Sequence, residues 1–438
     1  MLKAGLAEGT RMKLAEIFRF NPRETAAARQ RIRAVSALTS ACHDLLSERG
    51  EVSGVRLAGE ILSSYQALDE KGRTLFFESL ASEFSPDPEE VGKAGDAYRN
   101  DPSPQNLVRL QRAAEPPRQE LFRRLNVAAG GTLGLVQMRG HMLAHGAGSP
   151  GASIAGDLAH LLASWFNRGF LVLAKIDWRT SATVLEKLIR YEAVHQIQGW
   201  RDLRRRLEAD RRCYAFFHPA LPEEPIIFVE AALTQGMSDS VQPLLDPDSP
   251  VAAPEAADCA VFYSITNCQA GLHGIPMGSF LIKQVVEDLG KEFPRIRRFA
   301  TLSPIPGFRA WLASHAEPDL SAKLDDNGWL GDPKSREELE PRLLSLCAFY
   351  LLRAKRGKEP LDAVARFHLR NGARLERINW MGDASPAGLE RSAGLTVNYL
   401  YRPSDLERNH EIYTRDYAVA ASRDIEALAK RADAWVRV

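Results

Sequence analysis

Apolar positions in the first third of the chain recur every three or four residues. Ile32, Val35, Leu38, Cys42 and Leu45 fall on one helix face, with a stop at Gly50. Leu57, Ile61, Tyr65 and Leu68 repeat the spacing. Phe76, Phe77, Leu80 and Phe84 repeat it again before Pro86 and Pro88 end it. Turns punctuate the stretch around Pro102, Pro104, Pro116 and Pro117, and a further helix runs toward the GAGSPGAS loop at 146–153. No strand alternation appears before residue 160, so this part reads as a helical bundle.

The pattern then changes. PIIFVEAAL (225–233), DCAVFYSIT (258–266) and IRRFATLS (296–303) are short apolar, branched runs that predict strands. After a helical stretch over about 319–371, RLERINW (374–380) and GLTVNYLY (394–401) predict two more, and 405–435 is helical again. A length of 438 residues allows about three domains. The pattern reduces that to two and predicts an α+β multidomain chain, with a helical domain over 1–165, whose amphipathic helices could pair with a neighbour's, and a mixed α/β domain over 166–438.

Charge and cysteine usage narrow the class. Lys plus Arg is 57 against 56 Asp plus Glu, a net charge of +1, so no global field draws the chain to nucleic acid or an anionic membrane. The five cysteines are scattered without a C-x-x-C pair, which fits a reducing compartment rather than a disulfide frame or a zinc site. No apolar run reaches the roughly 18 residues of a membrane span, and the N-terminus lacks an apolar signal core, so a soluble cytoplasmic protein is expected. The run WRDLRRRLEADRR reads as a solvated helix face pairing with Glu208 and Asp210. His141 and His145, at i and i+4, have the spacing of metal ligands but no third ligand, and no metal is expected. His218, before Pro219, reads as structural.

The segment FYSITNCQAGLHGIPMGSFLIKQVV carries the first chemistry. A strand ends near Ser264 to Asn267, a loop with Gly271, Gly274 and Gly278 follows, and a helix begins near Gly278. Unpaired N–H groups and the helix dipole at such a start suit a phosphate, and glycines let the backbone come close. The spacing is neither the dinucleotide fingerprint nor a Walker loop. It is similar to the pyrophosphate loop of GNAT acyltransferases, with Gln269 at its start; a plain strand-to-helix turn also fits. Asn267, just before the loop, is positioned to reach a bound pantetheine.

That segment, KEFPRIRRFATLSPIPGFRAWL, FHLRNGARLERINWMGD and GLTVNYLY together resemble the malonyl-CoA decarboxylase family, in order from about residue 165 to 402. The resemblance implies a helical domain followed by a GNAT-like catalytic domain, a homotetramer, and conversion of malonyl-CoA to acetyl-CoA and carbon dioxide without a separate cofactor, CoA being part of the substrate. It implies Ser303, in SPIPGF, as proton acceptor and His368, in FHLRNGA, as proton donor, with Ser264 and Tyr401 supporting. It places malonyl-CoA binding on His273, Gly274, Ile275, Pro276, Met277, Gly278 and Ser279. Pro276 stands where some animal members carry an acid, whose role does not transfer. The ending Val436-Arg437-Val438 replaces the peroxisomal tripeptide of those members, which implies a cytoplasmic, bacterial-type protein.

The residues suit that chemistry. Loss of carbon dioxide leaves a thioester enolate, which needs hydrogen-bond donors at its oxygen and a proton at carbon. A histidine with a pKa near operating pH suits proton delivery. Leu361, Val364 and His368 are expected on one face of a helix starting at Pro360 and closing at Asn371-Gly372; a core histidine would show the same spacing. Ser303 is expected to bond the malonyl group and set the position of His368 from a turn stiffened by Pro304 and Pro306. Alternation puts Val397, Tyr399 and Tyr401 on one strand face. Arg295, Arg297 and Arg298 are candidates for the CoA 3′-phosphate. Two readings stand beside decarboxylation: an N-acyltransferase on the same scaffold, and a non-catalytic CoA-binding or assembly protein.

Overall fold

In a computed structural model, residues 26–48, 50–146, 148–275, 281–316, 318–326, 328–432 and 435 are described. They divide into two compact units. The first comprises the described residues up to Ser164 together with Ala270–Gly274; the second comprises Trp165–Gln269 and the described residues from Ile275 onward.

The first unit contains the helices Ala26–Ser47, Glu51–Gln66, Glu70–Glu83, Pro88–Asn100, Pro104–Ala114, Pro117–Asn126, Gly131–Ala144 and Pro150–Trp165. Val35, Leu38, Cys42 and Leu45 are buried on the first helix, as their spacing predicts, and Phe76, Phe77, Leu80 and Phe84 are buried on the third helix and just past its end. Three prolines read as a helix end or as turn punctuation start helices. Pro88, Pro104 and Pro117 each occupy a first turn, where a missing N–H costs nothing. Asp87 and Ser103 cap two of these helices by accepting from Glu89 N and Asn106 N.

The second unit is built on an eight-stranded mixed sheet. Its strands are β1 (Val172–Ile176), β2 (Arg211–Phe217), β3 (Ile227–Thr234), β4 (Cys259–Asn267), β5 (Arg298–Thr301), β6 (Ser303–Pro304), β9 (Arg374–Asn379) and β10 (Thr396–Tyr401). The order is β1-β2-β3-β4-β5-β10-β6, with β9 also on β10. Among the described strands β4 and β5 alone pair in parallel. A separate hairpin joins β7 (Lys355–Arg356) to β8 (Glu359–Pro360). The five predicted strands exist within a few residues of their expected bounds; β1 and β2 lie outside them. β2 begins with two arginines and so lacks an apolar start. The expected helical stretch over 319–371 is interrupted by the β7–β8 hairpin.

The arginine run is a solvated face only in part: Arg201 and Arg204 are exposed and Arg205 pairs with Asp210 as expected, but Arg205 and Arg206 are buried. The helix Trp200–Arg206 gives way to β2, and Arg206 is almost fully buried. Its guanidinium donates to Asp202 Oδ1 at 2.9 Å, to Glu230 Oε2 at 2.8 Å and to the His195 carbonyl at 2.8 Å. Arg205 forks onto Asp210 at 2.7 and 3.0 Å. Glu230 sits in the middle of apolar β3, and a buried carboxylate there requires a counter-charge. Burial pushes the Glu230 carboxyl up to about 7, against the pull of Arg206.

β4 carries an irregularity that matters for the site. Phe262 pairs with Ala231 and Ser264 with Glu230, so Tyr263 is one residue extra on β4. Ala231 and Glu230 are adjacent on β3 and face opposite ways, and cross-strand partners share a face. The bulge therefore turns Ser264 to the face opposite Phe262.

Candidate active site

His368, Ser303 and Tyr401 come together from three segments of the second unit. His368 lies on the helix Ala363–Arg370, which Asp362 caps by accepting from Ala365 N at 2.8 Å. The helix starts after Pro360, which belongs to β8, and its buried residues are Ala365, His368 and Leu369. Leu361 lies outside the helix and Val364 is only partly buried, so the expected face of Leu361, Val364 and His368 is corrected: Asp362 is the better cap and rotates the start by two residues. Asn371 and Gly372 follow the helix as expected, with Gly372 at a φ of 80°.

Ser303 is held by sheet pairing rather than by proline stiffness alone. Ser303 pairs with Val397 on β10, and Pro304 with Thr396. Ser303 thus shares a face with Val397, Tyr399 and Tyr401. The turn that follows is closed by Tyr350, whose hydroxyl stands where a side chain on Gly307 would go. Tyr350 in turn donates to Asp362 at 3.4 Å, linking the turn to the helix that carries His368.

The three groups form one chain of hydrogen bonds. His368 Nδ1 lies 2.7 Å from the Tyr401 hydroxyl and Nε2 lies 3.0 Å from Ser303 Oγ. Ser303 Oγ donates to Thr301 Oγ1 at 2.8 Å, and Thr301 Oγ1 also accepts from Tyr399 N at 3.0 Å. The Tyr399 ring stacks on the imidazole, with centroids 4.4 Å apart. Burial pushes the Tyr401 hydroxyl well above its ordinary pKa, so it is a donor. Its partner among the described residues is Nδ1. Proton positions assigned from these partners put the ring proton on Nε2, donating to Ser303 Oγ.

His368 is 3% exposed, Ser303 5% and Tyr401 1%. Burial pushes the His368 pKa down to about 3. The expectation of a histidine near operating pH is corrected: desolvation disfavours the imidazolium, and no carboxylate is hydrogen-bonded to the ring to offset it. A pH dependence follows. Unfolded, the ring titrates near 6.5. Between about pH 6.5 and 3 the unfolded chain binds a proton that the folded one does not. The ring's contribution to stability is full above that window and is lost as pH falls through it. From pH 7 to pH 5 this amounts to about 2 kcal/mol. Urea denaturation at both pH values should show wild type losing that much more than His368→Asn; equal losses would mean that the ring titrates normally.

Ser264 lies elsewhere. It is turned by the β4 bulge and donates to Glu192 Oε2 at 2.7 Å, while Thr266 Oγ1 donates to the same oxygen at 3.3 Å. The other Glu192 oxygen accepts from Val194 N and His195 N, both at 2.7 Å. Ser264 has no hydrogen bond to His368, Ser303 or Tyr401 among those of the described residues.

Of the expected binding stretch, Pro276, Met277, Gly278 and Ser279 lie outside the described residues. His273 and Gly274 are exposed, Gly274 with a φ of 77°, and Ile275 is buried. Asn267 is exposed at the end of β4, where its Oδ1 accepts from Gln269 N. Of the candidate arginines, Arg298 pairs with Asp258 and Arg295 donates to the Glu255 carbonyl. Arg297 lines a groove of about 330 Å³ with Lys283, Val286, Phe299 and Leu406. His141 bonds Tyr65 and Arg73, and His145 bonds Thr74. His218 bonds the Trp165 carbonyl. Among the described residues no three His, Cys, Asp or Glu side chains gather as metal ligands, and no helix is long and apolar enough to cross a membrane. Thr301 and Glu192 had no signal in the sequence, because their roles arise from contacts between distant segments, whereas Asp362 was legible as a local N-cap three residues before the amide it accepts from.

Comparisons with known proteins give matches to two family descriptions. Residues 84–166 match the family description "Malonyl-CoA decarboxylase N-terminal domain" and residues 169–437 match "Malonyl-CoA decarboxylase C-terminal domain". The chain is 36% identical over 346 residues to the mitochondrial malonyl-CoA decarboxylase of Anser anser anser, covering 71% of this chain and 69% of that protein. It is 35% identical over 356 residues to that of Mus musculus, covering 73% and 72%. A crystal structure of malonyl-CoA decarboxylase from Rhodopseudomonas palustris is 49% identical, with a TM-score of 0.86 over 90% of this chain and 99% of that one. One from Agrobacterium vitis is 45% identical, with a TM-score of 0.84 over the same shares.

Proposed function

We infer that this chain, which belongs to the malonyl-CoA decarboxylase family, converts malonyl-CoA to acetyl-CoA and carbon dioxide. The observation that carries the site assignment is the contact of His368 with both Ser303 and Tyr401, which lie 65 and 33 residues away. As the malonyl carboxylate leaves, charge moves to the thioester oxygen. The His368 Nε2–H and the Ser303 hydroxyl are neutral donors fixed before the reaction, which favours the enolate without reorganisation. A cation in their place would stabilise the departing carboxylate as well and so favour the ground state. The Ser303 hydroxyl passes a proton to carbon and recovers one from Nε2 as Nδ1 takes the Tyr401 proton, so the ring stays neutral, and solvent restores the Tyr401 proton once product has left. Thr301 fixes the serine rotamer, and in the resting site Tyr401 keeps the proton off Nδ1.

Ser264 supports this site through β4, anchored by Glu192, rather than by touching His368. The loop over 273–279, with Asn267 beside it, binds the CoA phosphates and pantetheine. CoA is part of the substrate, and no further cofactor enters this reading. The helical unit serves assembly into a homotetramer, and the protein works in the cytoplasm. Incubation with malonyl-CoA alone, followed by mass detection of acetyl-CoA, tests the activity. Product without any acceptor is expected. Product only with an added amine would mean an N-acyltransferase, and none in either case a CoA-binding protein.

A further inference from the structure

β6 is two residues long, and Pro304 brings no N–H to its pairing with β10. The helix that carries His368 has eight residues, too few to hold itself without packing and a cap. Neither half of the Ser303–His368 pair is therefore placed by its own element alone. Both lead to one hydroxyl. Tyr350 lies near the end of the helix Pro333–Arg353 and is buried with Leu346, Cys347 and Leu351. A side chain on Gly307, at the end of the turn after Ser303, would collide with the Tyr350 hydroxyl, while the ring carbon bearing that hydroxyl would stand at an ordinary 3.5 Å. Gly307 has a φ of −93°, which any residue adopts, so the glycine there serves room and not conformation. The Tyr350 ring also packs on Phe308 and Trp311 of the next helix, Phe308–His315, with centroids 5.7 and 5.4 Å away. The hydroxyl donates to Asp362 Oδ2 at 3.4 Å, and Asp362 Oδ1 caps the His368 helix. Burial pushes the Tyr350 hydroxyl above its ordinary pKa, so it stays a donor.

We propose that Tyr350 is a positioning residue for catalysis: its hydroxyl sets the separation of Ser303 and His368 by bearing on the turn after Ser303 and holding the cap of the His368 helix. This rests on the reading of that pair as the decarboxylating site. Both contacts meet at one oxygen, so a shift of the turn is passed to the cap and from there to the histidine. Ser303 Oγ and His368 Nε2 stand 3.0 Å apart, and the proton moves between them. A misplacement of about 1 Å costs on the order of a hundredfold in a preorganised site. The bond to the Asp362 carboxylate is charge-assisted and shielded from water, which favours a fixed geometry over an adaptable one. The long helix thus serves as the common reference for two short elements.

The test measures kcat and KM for malonyl-CoA in wild type, Gly307→Ala, Tyr350→Phe and the double variant, each checked for folding by circular dichroism. The expected result is kcat lowered about tenfold or more in Gly307→Ala, with KM changed less than about threefold. Tyr350→Phe lowers kcat as well, and adding Gly307→Ala to it has no further effect, because the methyl then fills the space of the missing hydroxyl. A general loss of stability would not produce that rescue. Should Gly307→Ala alone not fold, a folded double variant with the kcat of Tyr350→Phe supports the proposal. Equal effects of Gly307→Ala in both backgrounds, an unchanged kcat in Tyr350→Phe, or a double variant that does not fold would overturn it. The imidazole nitrogen NMR resonances of His368, assigned with His368→Asn, are recorded on the same proteins. They should shift in Gly307→Ala and coincide in Tyr350→Phe and the double variant; resonances unmoved by Gly307→Ala would overturn the proposal too. Wild type that yields no acetyl-CoA would instead sink the decarboxylase reading, leaving the resonances to decide this one.

Discussion

Replacing His368 with Ala or Asn lowers kcat for malonyl-CoA by about 10²–10⁴-fold, the range over which a positioned proton-transfer group contributes. The imidazole is buried, stacked on Tyr399 and bonded at both nitrogens, so nothing else among its neighbours replaces the Nε2–H donor toward Ser303. On the proposed assignment of CoA binding to the loop over 273–279, KM changes little. The pH profile separates this role from ordinary general-acid catalysis. With its pKa pushed down to about 3, His368 contributes no ionisation between pH 5 and 8. Steady-state kinetics across that range should therefore give a kcat without an acid limb from this residue. Unchanged turnover in the Ala variant would remove His368 from the mechanism.

The second large effect is on stability. Arg206→Met leaves Glu230 and Asp202 buried without their shared cation. Removing one partner of a buried ion pair costs about 3–5 kcal/mol, more than the pair itself contributes, because the carboxylates left behind either stay charged and desolvated or must take up a proton. For a unit of this size that corresponds to roughly 10 °C in Tm. The double variant Arg206→Met, Glu230→Gln should recover part of the loss, since the charge left behind is gone. Calorimetry on the three proteins tests this. A single variant melting within about 2 °C of wild type would mean that water reaches the pair.

The two predictions also mark what could be read from the residues. The apolar spacing of the early helices gave their buried faces, because helix periodicity is a local property. The strands at 227–234, 259–267 and 396–401 were legible because they are apolar on both faces and bounded by turn residues. Arg205 and Arg206 were misread because acidic residues four and five positions away suggest a solvated helix. Their partners Glu230 and Asp210 bury them only once β2 pairs with β3. The signal was present in Glu230, a lone carboxylate inside an apolar strand, and it was not paired with the arginines. For the site, the motifs at Ser303, His368 and Tyr401 were visible, but their mutual geometry was not. It depends on β6 and β10 lying side by side, a pairing across some ninety residues that no local pattern encodes. The low pKa of His368 was equally hidden, since it follows from burial by those strands.

The extra residue at Tyr263 has a consequence for any mutational scan of β4. The strand changes parity there. Before it, even-numbered positions such as Ala260 and Phe262 look toward Tyr401; after it, even-numbered Ser264 and Thr266 look toward Glu192. A map of tolerated substitutions should thus switch phase once along nine residues, with polar side chains accepted at even positions only in the second half. Deleting Tyr263 would restore a single phase and exchange the two sides for every residue on one half of the strand.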